Sequence, residues 1–155
     1  MKRLLEKLCV ALTSNFHFIN DGGCCVVAGE LSKYIPDCRV IVVNDVTSTS
    51  LDAARESIKN PLSHADWNKN DVHFWHVAVE FTYSGRKYIV DSDGVYSRLK
   101  FRRTWKTPLE GCLTSEEAVS LGENGRWNPM FDRRQIPNMS KMIKEHLECP
   151  NLNLA

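Results

Sequence analysis

Apolar residues recur at helical spacing near both ends of the chain and alternate with polar ones in its middle. Leu4, Leu5, Leu8 and Leu12 make one stripe, which predicts an amphipathic helix from Met1 to about Thr13. Ser14, Asn15, Asn20, Asp21, Gly22 and Gly23 then surround Phe16 to Ile19 and predict a polar, glycine-containing loop. A second helix is expected from Cys24 to Ile35, with Val27, Leu31, Tyr34 and Ile35 on one face, Val26 and Ala28 beside them, and Pro36 as its stop. Gly29 in its middle costs about 1 kcal/mol relative to alanine. A closing helix from Pro137 to Leu147 carries Met139, Met142, Ile143 and Leu147 as its buried stripe.

Between the helices the period changes from helical to strand-like. Arg39 to Asn44 is a short, continuous apolar strand, and Val72 to Tyr83 and Arg86 to Asp91 are strands joined by Ser84-Gly85 in a hairpin. With Tyr83 opposite Arg86, Val77, Val79, Phe81, Tyr88 and Val90 share one apolar face. His76, Ala78, Ile89, Asp91 and Asp93 share the other, with Ala78 opposite Asp91 and His76 opposite Asp93. A capped helix is expected from Ser50 or Asp52, loop from there to Asp71, a further basic strand from Tyr96 to Thr104, and a short helix from Thr114-Ser115-Glu116-Glu117 through Val119. No repeat, linker or low-complexity segment divides residues 1 to 155, so the expectation is one α+β domain containing an antiparallel hairpin.

Composition narrows the partners. The chain has 20 Lys+Arg against 19 Asp+Glu, 43% hydrophobic and 25% charged residues, which argues against disorder and against a basic nucleic-acid-binding surface. No apolar run is long enough to span a membrane. Met1 to Leu12 starts like a signal peptide, but Glu6 and Lys7 break the apolar run and no small-residue cleavage site follows. Cys9, Cys24, Cys25, Cys38, Cys112 and Cys149 without an export signal are expected as thiols of a cytoplasmic protein.

Three features supply candidate chemistry in order: Cys24 at a glycine-led helix start, His76 opening a strand, and Asp91 on the return strand. A helix N-terminus favours a thiolate over a thiol of ordinary pKa about 8.5 and presents backbone donors for an oxyanion. An imidazole alongside takes the thiol proton, and a carboxylate behind it orients the ring and stabilises the imidazolium. Gly23-Cys24-Cys25 equally permits Cys25 as the nucleophile, and Asp93 stands as the alternative acid.

Asp21-Gly22-Gly23-Cys24-Cys25-Val26-Val27-Ala28, His76-Val77-Ala78-Val79 and Tyr88-Ile89-Val90-Asp91 together resemble the papain-like cysteine peptidase superfamily. The D-G-x-C-x-x-x-A segment is similar to the nucleophile motif of ovarian-tumour-type deubiquitinases. A G-x-C-x-x-x-A segment followed by a strand histidine and then an acid resembles the transglutaminase-like and bacteriocin-processing branches. The resemblance spans residues 15 to 95. It implies a papain-like fold, in which an N-terminal, cysteine-bearing helix packs on an antiparallel sheet, and a thiol peptidase or amidase that attacks an amide, isopeptide or thioester carbonyl through a Cys24-His76-Asp91 triad. The acyl-enzyme would be resolved by water, or by an amine in a transglutaminase or acyltransferase. An oxyanion side chain is implied shortly before the cysteine, where Asn20 is the nearest amide; papain has a glutamine farther upstream, at the distance where this chain has Phe18. No cofactor or metal is implied, and the partner is a protein or peptide substrate, with no membrane or nucleic acid; the oligomeric state is left open.

Blander readings compete. Cys24 and Cys25 can be small core residues, and His76 a strand histidine bonded to Asp93. A zinc site built from His73, His76, Cys24 and Cys25 is disfavoured, because adjacent cysteines chelate poorly and residues 73 and 76 point to opposite faces of a strand. Phe101 to Lys106 reads as a solvated basic edge before a nucleic-acid contact. Trp75 is a candidate wall of a substrate groove. The rival class is a non-catalytic interaction domain that retains the fold.

Overall fold

A computed structural model describes residues 1–44, 74–105, 110–124 and 131–148. The first helix, α1 (Lys2–Asn15), buries Leu5, Leu8, Cys9 and Leu12, the expected stripe with Cys9 added. Instead of the expected loop, a π-helical turn (Ile19–Gly23) runs directly into α2 (Cys24–Ser32). The α2 helix is shorter than expected and is not amphipathic: every residue from Cys24 to Leu31 is buried. That explains Gly29, because a Cβ there would lie 2.6 Å from Val119 Cγ2 and 2.7 Å from the Ser115 carbonyl oxygen. The glycine is where α2 and the helix carrying Val119 touch backbone to backbone.

Five strands form one antiparallel sheet in the order β4-β3-β2-β1-β5: β1 (Arg39–Asn44), β2 (Phe74–Tyr83), β3 (Arg86–Val90), β4 (Val95–Ser97) and β5 (Glu110–Leu113). The hairpin has the expected register, Tyr83 opposite Arg86 and Val79 opposite Val90. Ser84 and Gly85 both adopt positive φ, 49° and 73°, the conformation a tight two-residue hairpin loop requires. The apolar face, with Val77, Val79, Phe81 and Val90, joins Val40, Val42, α1, α2 and the closing helix in the main core. The opposite face holds a smaller cluster of Ile41, Ala78, Ile89 and Phe101. Among the described residues no helix is long and apolar enough to cross a membrane.

Several expectations are corrected. The basic strand expected over Tyr96 to Thr104 is β4 followed by α3 (Arg98–Trp105). Ser97 starts that helix by accepting a hydrogen bond from the Lys100 N–H at 3.2 Å, and one apolar residue, Phe101, anchors it to the sheet. β5 carried no sequence signal that separated it from loop. α4 (Ser115–Asn124) continues past Val119; Thr114 and Glu117 cap it reciprocally, at 3.1 and 2.9 Å. A short 3₁₀ turn (Arg133–Gln135) leads into α5 (Ile136–Leu147), which buries Ile136, Met139 and Ile143, with Met142 and Leu147 packed partly against the core. The helix expected from Ser50 or Asp52, the loop to Asp71 and residues 72–73 lie outside the described residues, as does Cys149.

Candidate active site

The site forms where the sheet loses a strand. β2 pairs with β3 only from Val79 to Tyr83, because β3 ends at Val90 and the chain turns at Asp91. The turn is closed by the Asp91 N–H donating to the Gly94 carbonyl at 3.1 Å, with Gly94 at φ 159°. This corrects the expected continuation that set His76 opposite Asp93 on a shared face. Asp93 is exposed at the turn, whereas Asp91 is 3% exposed and faces the histidine.

Both carboxylate oxygens of Asp91 are engaged. Oδ1 accepts the backbone N–H groups of Asp93 (2.9 Å) and Gly94 (3.1 Å), and Oδ2 lies 2.9 Å from His76 Nε2. The Asp91 carbonyl accepts from the Cys9 thiol at 3.1 Å, which ties the turn to α1. His76 is 2% exposed, and its ring lies 6.2 Å, centroid to centroid, from Phe101 on α3. With Nε2 committed to Asp91, Nδ1 is the nitrogen left for Cys24.

Cys24, also 2% exposed, heads α2. Its thiol pKa is held well below the ordinary value: a hydrogen bond from the Cys25 thiol lowers it, burial opposes, and the hydrogen bond and charge of His76 and the Val77 backbone N–H lower it further. The Val77 amide is on the stretch of β2 that β3 leaves unpaired. Cys25 moves the other way, well above its ordinary value, through burial and then through its hydrogen bond to Cys24 and the charge there. Of the two adjacent thiols, Cys24 is therefore the more acidic. Burial pulls the His76 pKa down, but the hydrogen bonds to Asp91 and Cys24 and their charges outweigh it and raise the ring from 6.5 to about 10. The arrangement is a buried thiol of lowered pKa beside a histidine of raised pKa, with the Asp91 carboxyl on the ring's Nε2.

The approach to Cys24 differs from the bare helix start expected. Gly23 is already helical (φ −81°, ψ −15°), so the helical ladder begins a turn earlier, in the π-helical segment. π-helical insertions are rare and concentrate at functional sites. Gly23 is required by packing: a Cβ there would lie 2.7 Å from the Phe131 ring. Upstream, the Gln135 side chain accepts from the His17 N–H (3.2 Å) and donates to its carbonyl (3.4 Å), and the next residue, Phe18, sits in the left-handed region at φ 55°.

The structure brings together Cys24, Cys25, His76 and Asp91. Asn20, the oxyanion candidate, is exposed, and its amide is committed elsewhere: Nδ2 donates to Asp93 Oδ1, and Oδ1 accepts from the Ser92 hydroxyl. Trp75 is a β2 residue whose side chain lies outside those described, and His73 of the zinc alternative lies outside the described residues altogether. Among the described residues no group of three His, Cys, Asp or Glu is arranged to hold a metal ion. Sequence reasoning missed Cys9, Ser92, Phe101 and Phe131. Only Ser92 had a signal, its place inside the Asp91-Ser92-Asp93-Gly94 turn motif. Comparison of the chain with protein-family models, with curated proteins and with solved structures returns no match in any of the three.

Proposed function

We propose that this chain is a cysteine-dependent hydrolase or acyl transferase of papain-like architecture, acting on an amide, isopeptide or thioester carbonyl of a protein or peptide in the cytoplasm, most simply as a peptidase or amidase. The observation that carries the reading is the buried His76 Nε2 to Asp91 Oδ2 contact of 2.9 Å on a ring that also hydrogen-bonds Cys24. A buried histidine bonded to a carboxylate alone is an ordinary structural pair. A depressed thiol on the opposite side of the ring makes it a nucleophile, base and orienter in sequence.

In this mechanism the Cys24 thiolate adds to the carbonyl carbon. The tetrahedral oxyanion collapses with expulsion of the amine, which takes its proton from the His76 imidazolium, leaving a thioester. Neutral His76 then removes a proton from water, or from an acceptor amine, as it attacks the thioester, and Cys24 leaves as thiolate. Asp91 keeps Nε2–H pointed away from the thiol and stabilises the imidazolium without itself taking the proton.

One observation favours a second reading: the three side chains are each no more than 3% exposed, as in a non-catalytic domain that uses them as a polar core. An activated ester separates the two. With p-nitrophenyl acetate the enzyme reading expects a burst of about one equivalent of nitrophenolate, an acetyl group on Cys24 by mass spectrometry, and slow turnover. Release without a burst, unaffected by Cys24→Ala, would leave the non-catalytic reading standing.

A further inference from the structure

The segment leading into Cys24 and the turn carrying Asp91 lie far apart in sequence, and one exposed side chain joins them. Asn20 is in the π-helical turn, four residues before Cys24. Its Oδ1 accepts from the hydroxyl of Ser92, a residue with no solvent exposure, and its Nδ2 donates to the Asp93 carboxylate. Ser92 and Asp93 directly follow Asp91, and the Asp93 and Gly94 N–H groups hold Asp91 Oδ1. The second anchor of the turn, the Cys9 thiol on the Asp91 carbonyl, comes from α1 and does not involve the nucleophile's helix.

We propose that Asn20 is a positioning residue: it fixes the Asp91 turn to the backbone that delivers Cys24, so that the carboxylate, the ring and the thiol keep one spacing. This rests on the triad reading of Cys24, His76 and Asp91. It assigns Asn20 a role different from an oxyanion donor, since both polar atoms of its side chain are already used by the turn. The consequence is electrostatic as well as steric. His76 holds its proton through Asp91, and the depressed Cys24 pKa depends in part on that charged ring. Loosening the turn lowers the His76 pKa and lets the Cys24 pKa climb toward its ordinary value.

The test is the rate of iodoacetamide alkylation at Cys24 against pH in the wild type, Asn20→Ala and Asp93→Ala. A rise of one unit in the thiol pKa cuts the thiolate fraction about tenfold well below that pKa. Asn20→Ala is expected to move the acid limb of the Cys24 alkylation profile to higher pH by about one unit, a roughly tenfold loss of rate on the part of the limb below both thiol pKa values, while approaching the wild-type rate above pH 9, where any thiol ionises. Asp93→Ala removes one of the two links on an exposed residue and is expected to shift the profile in the same direction by less; it serves as the readout if Asn20→Ala does not fold. An Asn20→Ala profile that superimposes on a reactive wild type, or failing that an unshifted Asp93→Ala profile, overturns the role of Asn20 and leaves the triad reading intact. A wild type in which Cys24 reacts no faster than the other cysteines overturns the triad reading itself and the Asn20 role with it.

Discussion

His76 and Glu80 lie on the same strand and the same face of the sheet, both nearly inaccessible to water, and they are neutralised in opposite ways. Glu80, 4% exposed, receives Arg39 from β1 (2.9 Å), Lys87 from β3 (3.3 Å) and Arg98 from the start of α3. Those cations reach in from the surface on long aliphatic stems. The cluster fastens three elements at the hairpin end of the sheet. His76 is bounded instead by Cys24, whose thiol pKa is lowered, and by Asp91, delivered from a helix and a turn at the end of β2 that β3 leaves without a partner strand. The same strand therefore carries two kinds of buried cluster: one in which cations surround a carboxylate, and one in which a thiol and a histidine shift each other's pKa.

Substitution at each centre should separate them most sharply. His76→Gln is expected to lower acylation of Cys24 by p-nitrophenyl acetate at pH 6 by about 10³-fold, the ratio expected when a thiol returns to an ordinary pKa near 9. Glu80→Gln should leave that rate within about twofold. A comparable loss in both variants would mean that the two clusters are not functionally distinct.

Asp91→Asn sharpens the contrast inside the reactive cluster. The amide can still offer an acceptor to the turn N–H groups but removes the negative charge from beside the ring, so the His76 pKa should fall below about 10. The alkaline limb of the acylation profile should move to lower pH, with a loss of roughly 10 to 10² in rate at pH 7. An unshifted limb would show that Asp91 does not hold the imidazolium.

Stability against pH gives a third test. His76 is raised in the fold from 6.5, so its contribution is complete below 6.5 and is lost as pH rises through about 10. Cys24 is depressed in the fold from 9.0, so its contribution is complete above 9.0 and is lost as pH falls through the folded value. Between 6.5 and 9.0, above the folded Cys24 value, the folded pair has given up the thiol proton and kept the ring proton, while the unfolded chain has done the reverse. The proton counts match and the slope is zero. Urea melts of wild type minus Cys24→Ala/His76→Ala should thus show a plateau between those values that falls on either side. A monotonic difference would contradict the ion pair. The smallest effect is expected at the other cluster, where Glu80→Gln should cost about 1–2 kcal/mol by urea melts with no plateau of this kind.

The hairpin was legible because alternation and the Ser84-Gly85 turn act locally, and its register alone set His76 and Asp91 on one face. Parity could not choose between Asp91 and Asp93, since both satisfy it; the choice was made by the strand ending at Val90, an outcome of the Asp91 turn and its Cys9 and Asn20 anchors from distant segments. The adjacent cysteines left the nucleophile open in sequence, with Cys24 favoured, and in the fold their pKa values move in opposite directions, Cys24 down and Cys25 up. Residues 98 to 105 misled because their charges obscured a helix that buries Phe101 and leaves Leu99 62% exposed. β5 pairs only with β1, across a long separation in the chain, and short strands of that kind have no local signature.

The most direct test of the central claim is the pH dependence of iodoacetamide alkylation, mapped by mass spectrometry to each cysteine in the wild type and in His76→Ala. The thiolate-imidazolium account predicts that Cys24 alone is labelled rapidly at pH 6, and that its rate in His76→Ala is small there and rises only as pH approaches 9. Six cysteines labelled in order of exposure, with no change on removing His76, would contradict it.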